Sequence, residues 1–360
     1  MGAGRVITLP RAADPRVSIL VVAAHVKPRL LRCLESLARA APAIAFDTSV
    51  LLDGVDEETA RALREQLSGV RVEAFPTGLG LAGVLNRGRE LVRGEFLVTL
   101  QDDTEVRSGW LEGLVQAADQ DPGAGAVGSL VLNPDGSVQV AGYELTPDFS
   151  ARPPWGERVP DPSEFDAVRP VDYCGSCSLL VRTATWDLIG GADERIFPLY
   201  PVDIDICLAI RMRGQRVLCA PASVLVHERG ASITPDFAGF VQRRHRELML
   251  EKWGAALVGH VPGSGAVREL PAAELPLQVR EPDPDRQAIA QLIRARDTLR
   301  DYARELSSRL DAQEEELAWL RERAATLARV EAGGWWQLRR RVLPALRLAG
   351  ALRRRLRARR

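Results

Sequence analysis

Two kinds of hydrophobic pattern alternate along about the first 255 residues. Continuous apolar runs predict buried strands, and they occur at Val17–Ala24, 49–53, 70–75 and 95–101. Between these runs the apolar residues recur on one face, as at Leu30, Leu34 and Leu37, which predicts amphipathic helices. The repeated order of strand and helix predicts an α/β fold with a Rossmann-like, mostly parallel sheet flanked by helices. Ligands of such sheets bind at the carboxyl ends of the strands.

The pattern changes after residue 125. Two apolar runs, 126–132 and 137–143, flank the turn sequence Asn133–Gly136, which predicts a β-hairpin. Residues 148–170 are rich in proline and charge and predict a long loop over the site. A further strand is predicted over 171–182.

The C-terminal hundred residues have a different pattern. Residues 256–285 are proline-rich, show no period and predict a linker after a first domain of residues 15–255. Over residues 286–331, leucines recur every seven residues from Leu292 to Leu327, with Gln313 interrupting the series. This spacing is typical of a helical hairpin or of a coiled-coil stem that associates with a second copy.

The net charge is zero, with 48 basic and 48 acidic residues, but the charges are unevenly distributed. The last 26 residues contain ten arginines and no acid, so the rest of the chain carries about −10. Residues 333–360 join the Trp335–Trp336 pair to leucines and arginines, a composition that suits an anionic inner-leaflet surface. Nucleic acid is the alternative partner of an arginine-rich tail. The tryptophans and leucines favour lipid, and we expect no nucleic-acid partner.

Composition also indicates the compartment. Five cysteines, an odd number, and the lack of a signal-peptide pattern favour a reducing cytoplasm. No uncharged run of about 18 strongly apolar residues occurs, so we expect a protein held peripherally at the inner face of the membrane.

Asp102 and Asp103 are the first candidate functional residues, because they follow the predicted strand at 95–101. Adjacent acids at the carboxyl end of a strand lie where a sheet binds ligands, and they can hold a divalent cation against a diphosphate. A solvated loop or a helix N-cap is an equally good interpretation of the acidic pair taken alone.

The surrounding motifs identify a family. Leu30–Leu37, Gly78–Gly88, Asp172–Arg182, Gly190–Phe197 and Tyr200–Leu208 each match a motif of one family. From about Val17 to Trp253 the chain resembles the family 2 glycosyltransferases with the GT-A fold, particularly the rhamnosyltransferase-like members of bacterial surface polysaccharide synthesis. The resemblance implies transfer of a sugar from a nucleoside-diphosphate sugar to a glycan or lipid-linked acceptor, with inversion.

The resemblance also implies roles for individual residues. It makes Asp103 a ligand of Mg²⁺ or Mn²⁺, and places His227 where the family often has a histidine that completes the metal or phosphate site. It assigns the general base to Asp203. The residues implied for the nucleotide-sugar are Asp53, Gly80, Asn86 and Asp102.

The acceptor side is implied at Gly175 and Cys177, and Trp155 is a candidate for stacking on a sugar. Cys174 and Cys177 also have C-x-x-C spacing. A zinc site would need two more ligands at matching spacing, and a redox pair would need a thioredoxin-like context. The sequence has neither, so we interpret these residues as small groups packed beneath the sugar.

Two positions depart from the family pattern. Gln101 stands where Asp or Asn is commoner, and Val202 stands where the family has Glu. These departures keep two alternatives open: a non-catalytic relative that binds sugar nucleotides or acts as a scaffold, and a nucleotidyltransferase.

Overall fold

The structure is a computed structural model. It describes residues 6–26, 28–156, 158, 160–228, 234–262, 277–334, 338–340 and 342–343. The chain divides into two compact units, Met1–Thr298 and Leu299–Arg360. The domain boundaries given above from the sequence stay predictions.

The first unit contains fourteen described strands and seven complete α-helices. The strands are β1 (Ile7–Thr8), β2 (Val17–Ala23), β3 (Phe46–Asp53), β4 (Leu67–Ser68), β5 (Val70–Phe75), β6 (Phe96–Gln101), β7 (Thr104–Val106), β8 (Ala124–Leu132), β9 (Val138–Val140), β10 (Glu144–Leu145), β11 (Ala151–Arg152), β12 (Arg169–Pro170), β13 (Ser178–Arg182) and β14 (Arg216–His227). The helices are α1 (Pro28–Ala40), α2 (Glu57–Arg64), α3 (Gly80–Arg89), α4 (Trp110–Gln120), α5 (Thr183–Ile189), α6 (Val202–Arg211) and α7 (Pro235–Trp253), with 3₁₀ turns at Pro162–Glu164 and Gly254–Leu257.

One ten-stranded sheet organises this unit. Its main order is β12-β14-β8-β13-β6-β2-β3-β5, with β7 paired to β14 and β9 to β8. The half built from β6, β2, β3 and β5 is parallel. The other half is mixed, because β13 runs antiparallel to both β6 and β8 whereas β14 runs parallel to β8. The predicted α/β class is confirmed.

The sheet separates two hydrophobic layers. Alternate side chains of β2 point to opposite faces, so Val17, Ile19 and Val21 join one core cluster and Leu20 joins the other. Helices α1, α2 and α4 cover the first face, and α3, α5, α6 and α7 cover the second. Because both faces are covered, the central strands are apolar throughout, which is why their runs are visible in the sequence.

The predicted hairpin and the strand predicted over 171–182 have different outcomes. The hairpin is present as β8 and β9, which pair antiparallel around the predicted turn. The strand predicted over 171–182 is wrong in its first half, since β13 begins only at Ser178. Residue 172 is instead a buried acid: the Asp172 carboxylate accepts the Leu145 N–H (2.8 Å) and lies 3.3 Å from the Arg211 guanidinium. The backbone of this segment also bonds elsewhere, since the Val171 N–H donates to the Val217 carbonyl (2.9 Å) and the Asp172 N–H to the Tyr143 carbonyl (3.1 Å).

Helix α8 (Pro284–Ala332) is a single helix of 49 residues, so the structure supports a continuous stem rather than a helical hairpin. In the second unit its heptad leucines are exposed, for example Leu299 (61%) and Leu327 (62%). Among the described residues no helix is both long and apolar enough to cross a bilayer. Of the proposed membrane-surface segment, only residues 333–334, 338–340 and 342–343 are described, so that proposal lies mostly outside the described residues.

Candidate active site

Asp103 and His227 meet at the edge of the sheet. Asp103 follows the end of β6, and His227 ends β14, where it is paired with Thr104 of β7. The backbone N–H of Glu228 donates to the Asp103 carbonyl (2.9 Å), which fixes the two chain segments together. In consequence His227 Nε2 lies 3.3 Å from Asp103 Oδ1, with both side chains largely buried. The structure thus brings together the two residues implied as metal ligands.

The donor atoms of this pair fit a divalent cation. Asp103 Oδ1 is buried and has no hydrogen-bond partner within the described part of the chain. A buried carboxylate oxygen without a partner is costly, and a cation would remove that cost. Among the described residues no group of three or more His, Cys, Asp or Glu side chains could hold a metal ion. Mg²⁺ and Mn²⁺ sites of this kind take their remaining ligands from substrate phosphates and water.

Asp102 faces a different partner. Its Oδ2 accepts a hydrogen bond from Arg29 Nε on α1 at 3.0 Å, and both side chains are buried. Burial raises the pKa of the Asp102 carboxyl, and the Arg29 guanidinium opposes that effect. Asp103, Arg29 and Arg32 line one cavity of about 200 Å³, so cationic groups lie beside the acidic pair.

Asp203 lies beside the predicted acceptor block. Asp203 is in the first turn of α6, and its carboxylate accepts the backbone N–H bonds of Ile204 (3.0 Å) and Ser176. A Cβ atom at Gly175 would lie 3.8 Å from both Asp203 Oδ2 and Cys177 Sγ. Burial raises the pKa of Asp203 above its ordinary value, and the N–H bonds oppose the rise. A carboxylate with a raised pKa is a stronger general base than an exposed one.

Hydrogen bonds join this block to the metal side. The Gln101 N–H donates to the Cys177 carbonyl (3.2 Å), and the Thr99 hydroxyl donates to the Ser176 carbonyl (2.8 Å). Ser176 contacts Asp203, and Gln101 is two residues from Asp103. Hydrogen bonds therefore connect the two proposed metal ligands, Asp103 and His227, with the proposed base along one edge of the sheet. We call this connected set the hydrogen-bonded rim.

Asp53 and Gly80 meet at the predicted donor side. The Asp53 carboxylate, at the end of β3, accepts the backbone N–H groups of Leu79 and Gly80 at the start of α3. Burial raises the pKa of Asp53 to about 6, against the effect of those two bonds. Gly80 has φ +69°, and a Cβ there would come within 2.8 Å of the Phe197 ring and 2.9 Å of the Pro198 carbonyl oxygen. Glycine is therefore required at this turn.

Asn86 has a structural position. It is 2% exposed, and its amide donates to the Ala192 carbonyl and to Glu194 Oε1 while accepting the Ala192 N–H, each at 2.9 Å. Glu194 Oε1 also accepts from Gln287 Nε2 of α8 at 2.7 Å. Asn86 therefore links the motif Gly78–Gly88 to the motif Gly190–Phe197, and these hydrogen bonds use both its amide oxygen and its NH₂ group. Its implied contact with the nucleotide-sugar stays a prediction.

Trp155 and the cysteine pair have ordinary packing contacts. Trp155 is half-buried and makes an edge-to-face contact with Phe165 (5.5 Å between ring centroids), within the loop predicted to cover the site. The thiols of Cys174 and Cys177 are both buried, and Cys174 Sγ donates to the Leu218 carbonyl at 3.5 Å. These contacts agree with small buried groups beneath the site.

Asp205, two residues after Asp203, supports the helix of the proposed base. Its Oδ1 lies 2.7 Å from Lys252 Nζ and accepts from Trp253 Nε1 at 2.8 Å. Lys252 Nζ also contacts Asp193 Oδ2 at 2.6 Å, and the three charged side chains are almost completely buried. The network holds α6 against α7 and against the motif around Asp193.

We expect Asp205→Asn to lower the free energy of unfolding by about 3 kcal/mol, because it removes one partner of a buried ion pair. Urea unfolding followed by circular dichroism measures this. The control is Asp203→Asn on the same helix, which removes a carboxylate bonded to backbone N–H groups and should leave the free energy of unfolding within about 1 kcal/mol. Equal stabilities of the Asp205 variant and the wild type would contradict the structural role.

The sequence predicts a loop over Gly191–Pro201, but neither the contacts of residues 197–201 nor the position of Gln139 could be predicted from it. The Pro198 carbonyl accepts the Leu81 N–H (2.7 Å), and the Tyr200 carbonyl lies 2.6 Å from His245 Nδ1. This loop connects the donor side to the helix of Asp203. Gln139 lies on the short strand β9 and contacts His227, 88 residues away. No local pattern marks either feature, because each is defined by contacts distant in sequence.

Comparison with known proteins shows which family and relatives part of the chain is similar to. Residues 18–188 match the model of glycosyl transferase family 2. An N-acetylglucosaminyl-diphospho-decaprenol L-rhamnosyltransferase of Mycobacterium tuberculosis is 29% identical over 280 residues, covering 67% of this chain and 87% of that protein. The O-antigen biosynthesis protein RfbC of Myxococcus xanthus is 29% identical over 241 residues, covering 64% of this chain and 18% of that longer protein.

A solved structure supports the fold. The crystal structure of GalNAc-T7 with UDP, GalNAc and Mn²⁺ superimposes with a TM-score of 0.52 at 14% identity, covering 67% of this chain and 48% of that one. At this identity the likeness concerns the fold alone, and it confirms the predicted GT-A architecture. Over residues 18–188 the chain is similar to glycosyl transferase family 2.

Proposed function

We propose that this glycosyltransferase moves a sugar from a nucleoside-diphosphate sugar to a glycan or lipid-linked acceptor, with inversion and with a requirement for Mg²⁺ or Mn²⁺. The proposed setting is cell-surface polysaccharide synthesis. The observation that carries the proposal is the hydrogen-bonded rim from Asp103 and His227, through Gln101, Cys177 and Ser176, to Asp203. It supports a metal side and a base side of one reaction centre.

Each side supplies one part of a single displacement. Asp203 removes the proton of the acceptor hydroxyl as the new glycosidic bond forms, and its raised pKa suits that role. Asp103 and His227 hold the divalent cation. The cation, when bound, stabilises the charge that develops on the departing diphosphate. Asp53 fixes the turn before α3 along which the nucleotide lies.

The relatives suggest the donor and acceptor classes. The Mycobacterium tuberculosis protein is named for L-rhamnosyl transfer to N-acetylglucosaminyl-diphospho-decaprenol, and the Myxococcus xanthus protein for O-antigen biosynthesis. We extend to this chain the transfer of a hexosyl or deoxyhexosyl group to a polyprenyl-diphosphate-linked or glycan acceptor. The family match favours this over a nucleotidyltransferase or a non-catalytic scaffold.

A transfer assay tests the proposal. UDP-, dTDP- and GDP-sugars are each incubated with the protein and polyprenyl-diphosphate-linked N-acetylglucosamine, with Mn²⁺ or with EDTA. We expect one nucleotide class to give a product only with the metal, and its anomeric configuration by NMR to be opposite to that of the donor. A product of equal yield in EDTA contradicts metal dependence, and a product with the donor's configuration contradicts inversion.

We propose that residues 333–360 place the enzyme on the cytoplasmic face of the membrane. The proposal rests on the ten arginines, the Trp335–Trp336 pair and the interleaved leucines.

We also propose that the exposed heptad leucines of α8 are a surface through which the stem associates with a second copy. Light scattering of the full chain over a range of concentrations reports that association.

Binding to vesicles should depend on lipid charge. We expect the protein to sediment with phosphatidylglycerol-containing vesicles and to be released by salt, since each arginine near an anionic surface contributes about 1 kcal/mol. A variant with Arg353, Arg354 and Arg355 replaced by Gln should bind at least about tenfold more weakly. Equal binding to neutral vesicles, or preferential binding to duplex DNA, would contradict the membrane proposal.

A further inference from the structure

Gln139 links the β8–β9 hairpin to the proposed metal ligand. Its side chain is 7% exposed, and its amide makes three contacts with other described residues. Gln139 Nε2 donates to Asn133 Oδ1 at 2.8 Å and to the His227 carbonyl at 2.9 Å, and Gln139 Oε1 lies 2.7 Å from His227 Nδ1. The same glutamine therefore contacts both the backbone and the ring of His227.

These contacts determine which way the amide points. A backbone carbonyl can only accept a hydrogen bond, so the group facing the His227 carbonyl must be the NH₂ of Gln139. Asn133 agrees, because its own NH₂ donates to the Ser137 hydroxyl at 2.9 Å and leaves its Oδ1 to accept. The flipped amide would set Oε1 against two carbonyl oxygens. Gln139 Oε1 therefore faces the imidazole.

The orientation of the amide determines the tautomer of the imidazole. An amide oxygen can only accept, so His227 Nδ1 must carry the hydrogen of this 2.7 Å bond. In the neutral ring the other nitrogen, Nε2, then has its lone pair available. Nε2 lies 3.3 Å from Asp103 Oδ1, and this carboxylate oxygen has no hydrogen-bond partner within the described residues. Two acceptor atoms this close together are complementary to a cation.

We propose that Gln139 is a positioning residue that holds His227 in its Nδ1–H tautomer and so presents Nε2, beside Asp103, to the divalent cation. The inference rests on the metal role given to Asp103 and His227 under the proposed function. Without Gln139, the ring is free to carry its hydrogen on Nε2 and donate it to Asp103. That hydrogen bond satisfies both side chains and competes with metal binding. Residues that orient a metal-bound histidine typically change metal affinity by about 10- to 100-fold.

The tautomer is measured on the protein without metal. The chain has four histidines, so ¹⁵N-histidine labelling gives four imidazole patterns, and a His227→Gln variant identifies that of His227. At about pH 8.5, where an ordinary imidazole is neutral, long-range ¹H–¹⁵N spectra distinguish the two tautomers. We expect Nδ1–H in the wild type. An Nε2–H tautomer in the wild type would overturn the proposal without the use of any Gln139 variant.

Metal affinity is measured by electron paramagnetic resonance of Mn²⁺ with UDP, dTDP or GDP present. Gln139→Met keeps the size of the side chain but removes its acceptor, and should weaken Mn²⁺ binding about 10- to 100-fold and lose the single tautomer. Gln139→Glu keeps an acceptor for Nδ1–H but loses the two NH₂ bonds to Asn133 and the His227 carbonyl. It should keep the Nδ1–H tautomer and lose less Mn²⁺ affinity than Gln139→Met. Ser137→Ala removes the two hydroxyl bonds to Asn133 and Asp135 within the hairpin but not the Gln139–His227 bond, and should leave both readouts unchanged.

The outcomes separate this inference from the proposed function. If the wild type binds no Mn²⁺ with any nucleotide, the proposed function fails. If the wild type binds Mn²⁺ and Gln139→Met binds it equally with an unchanged tautomer, only the role of Gln139 fails. If Gln139→Met and Gln139→Glu lose affinity equally while both keep the Nδ1–H tautomer, Gln139 acts on the hairpin alone and the proposal is wrong.

Discussion

Asp203→Asn is expected to lower kcat by about 10²- to 10⁴-fold, the usual contribution of a general base. The carboxylate accepts backbone N–H bonds from Ile204 and Ser176, and an amide of the same shape can occupy its place without accepting the acceptor's proton. Nucleotide affinity should change by less than about twofold, because Asp203 lies beside the acceptor block. Initial rates of transfer at saturating donor, together with calorimetric nucleotide titration, measure both effects.

The pH profile gives a second readout of the same residue. Burial raises the pKa of Asp203, and the base acts only when deprotonated, so kcat/KM of the wild type should fall as the pH falls through that raised pKa. The variant should lose this acid limb. The control is Asp187→Asn, which removes an exposed acid paired with Arg89 and should leave kcat unchanged. A variant at Asp203 with more than half of the wild-type kcat would show that another group is the base.

Asp103→Asn should have the second large effect, a loss of about 10³-fold in metal-supported turnover. A bound cation supplies several kcal/mol of charge stabilisation, and each 1.4 kcal/mol is a factor of ten in rate. Without metal, the stability of the Asp103→Asn variant should stay near that of the wild type, because Asp103 Oδ1 has no hydrogen-bond partner among the described residues. Turnover is measured as a function of Mn²⁺ concentration, and stability by thermal unfolding in EDTA.

Asp102→Asn is the contrasting variant for that experiment. It breaks the buried pair with Arg29, so the midpoint of thermal unfolding in EDTA should fall. Asp103→Asn with unchanged Mn²⁺ dependence, or Asp102→Asn with unchanged stability, would contradict the different roles assigned to these adjacent acids.

The parallel half of the sheet could be predicted from the sequence because its strands are covered on both faces. The runs at Val17–Ala24 and 95–101 correspond to β2 and β6 within one residue. The strand predicted over 171–182 is too long, because the backbone N–H groups of Val171 and Asp172 bond to Val217 and Tyr143 and β13 begins only at Ser178. Apolar composition does not distinguish a strand from a buried segment whose hydrogen bonds go elsewhere.

The candidate site was predictable where its residues follow strand ends. Asp53 ends β3, Asp103 comes two residues after the end of β6, and His227 ends β14. Such positions are candidates because the carboxyl ends of the strands meet at one edge of the sheet. What each carboxylate contacts was not predictable, as the pairing of Asp102 with Arg29 shows. Gln139 was not predictable either, because its role follows from a bond to a residue 88 positions away. Such contacts depend on strand register, which the local pattern does not specify.

Calorimetric titration of UDP, dTDP and GDP, each with and without Mn²⁺, into the wild type and Asp103→Asn tests the proposed metal-dependent nucleotide site most directly. We expect one nucleotide to bind the wild type tightly only with Mn²⁺, and the variant to lose this metal-dependent binding while staying folded. Binding of equal strength without metal, or the absence of binding by all three nucleotides to folded wild-type protein, would contradict a metal-dependent nucleotide-sugar site at Asp103 and His227.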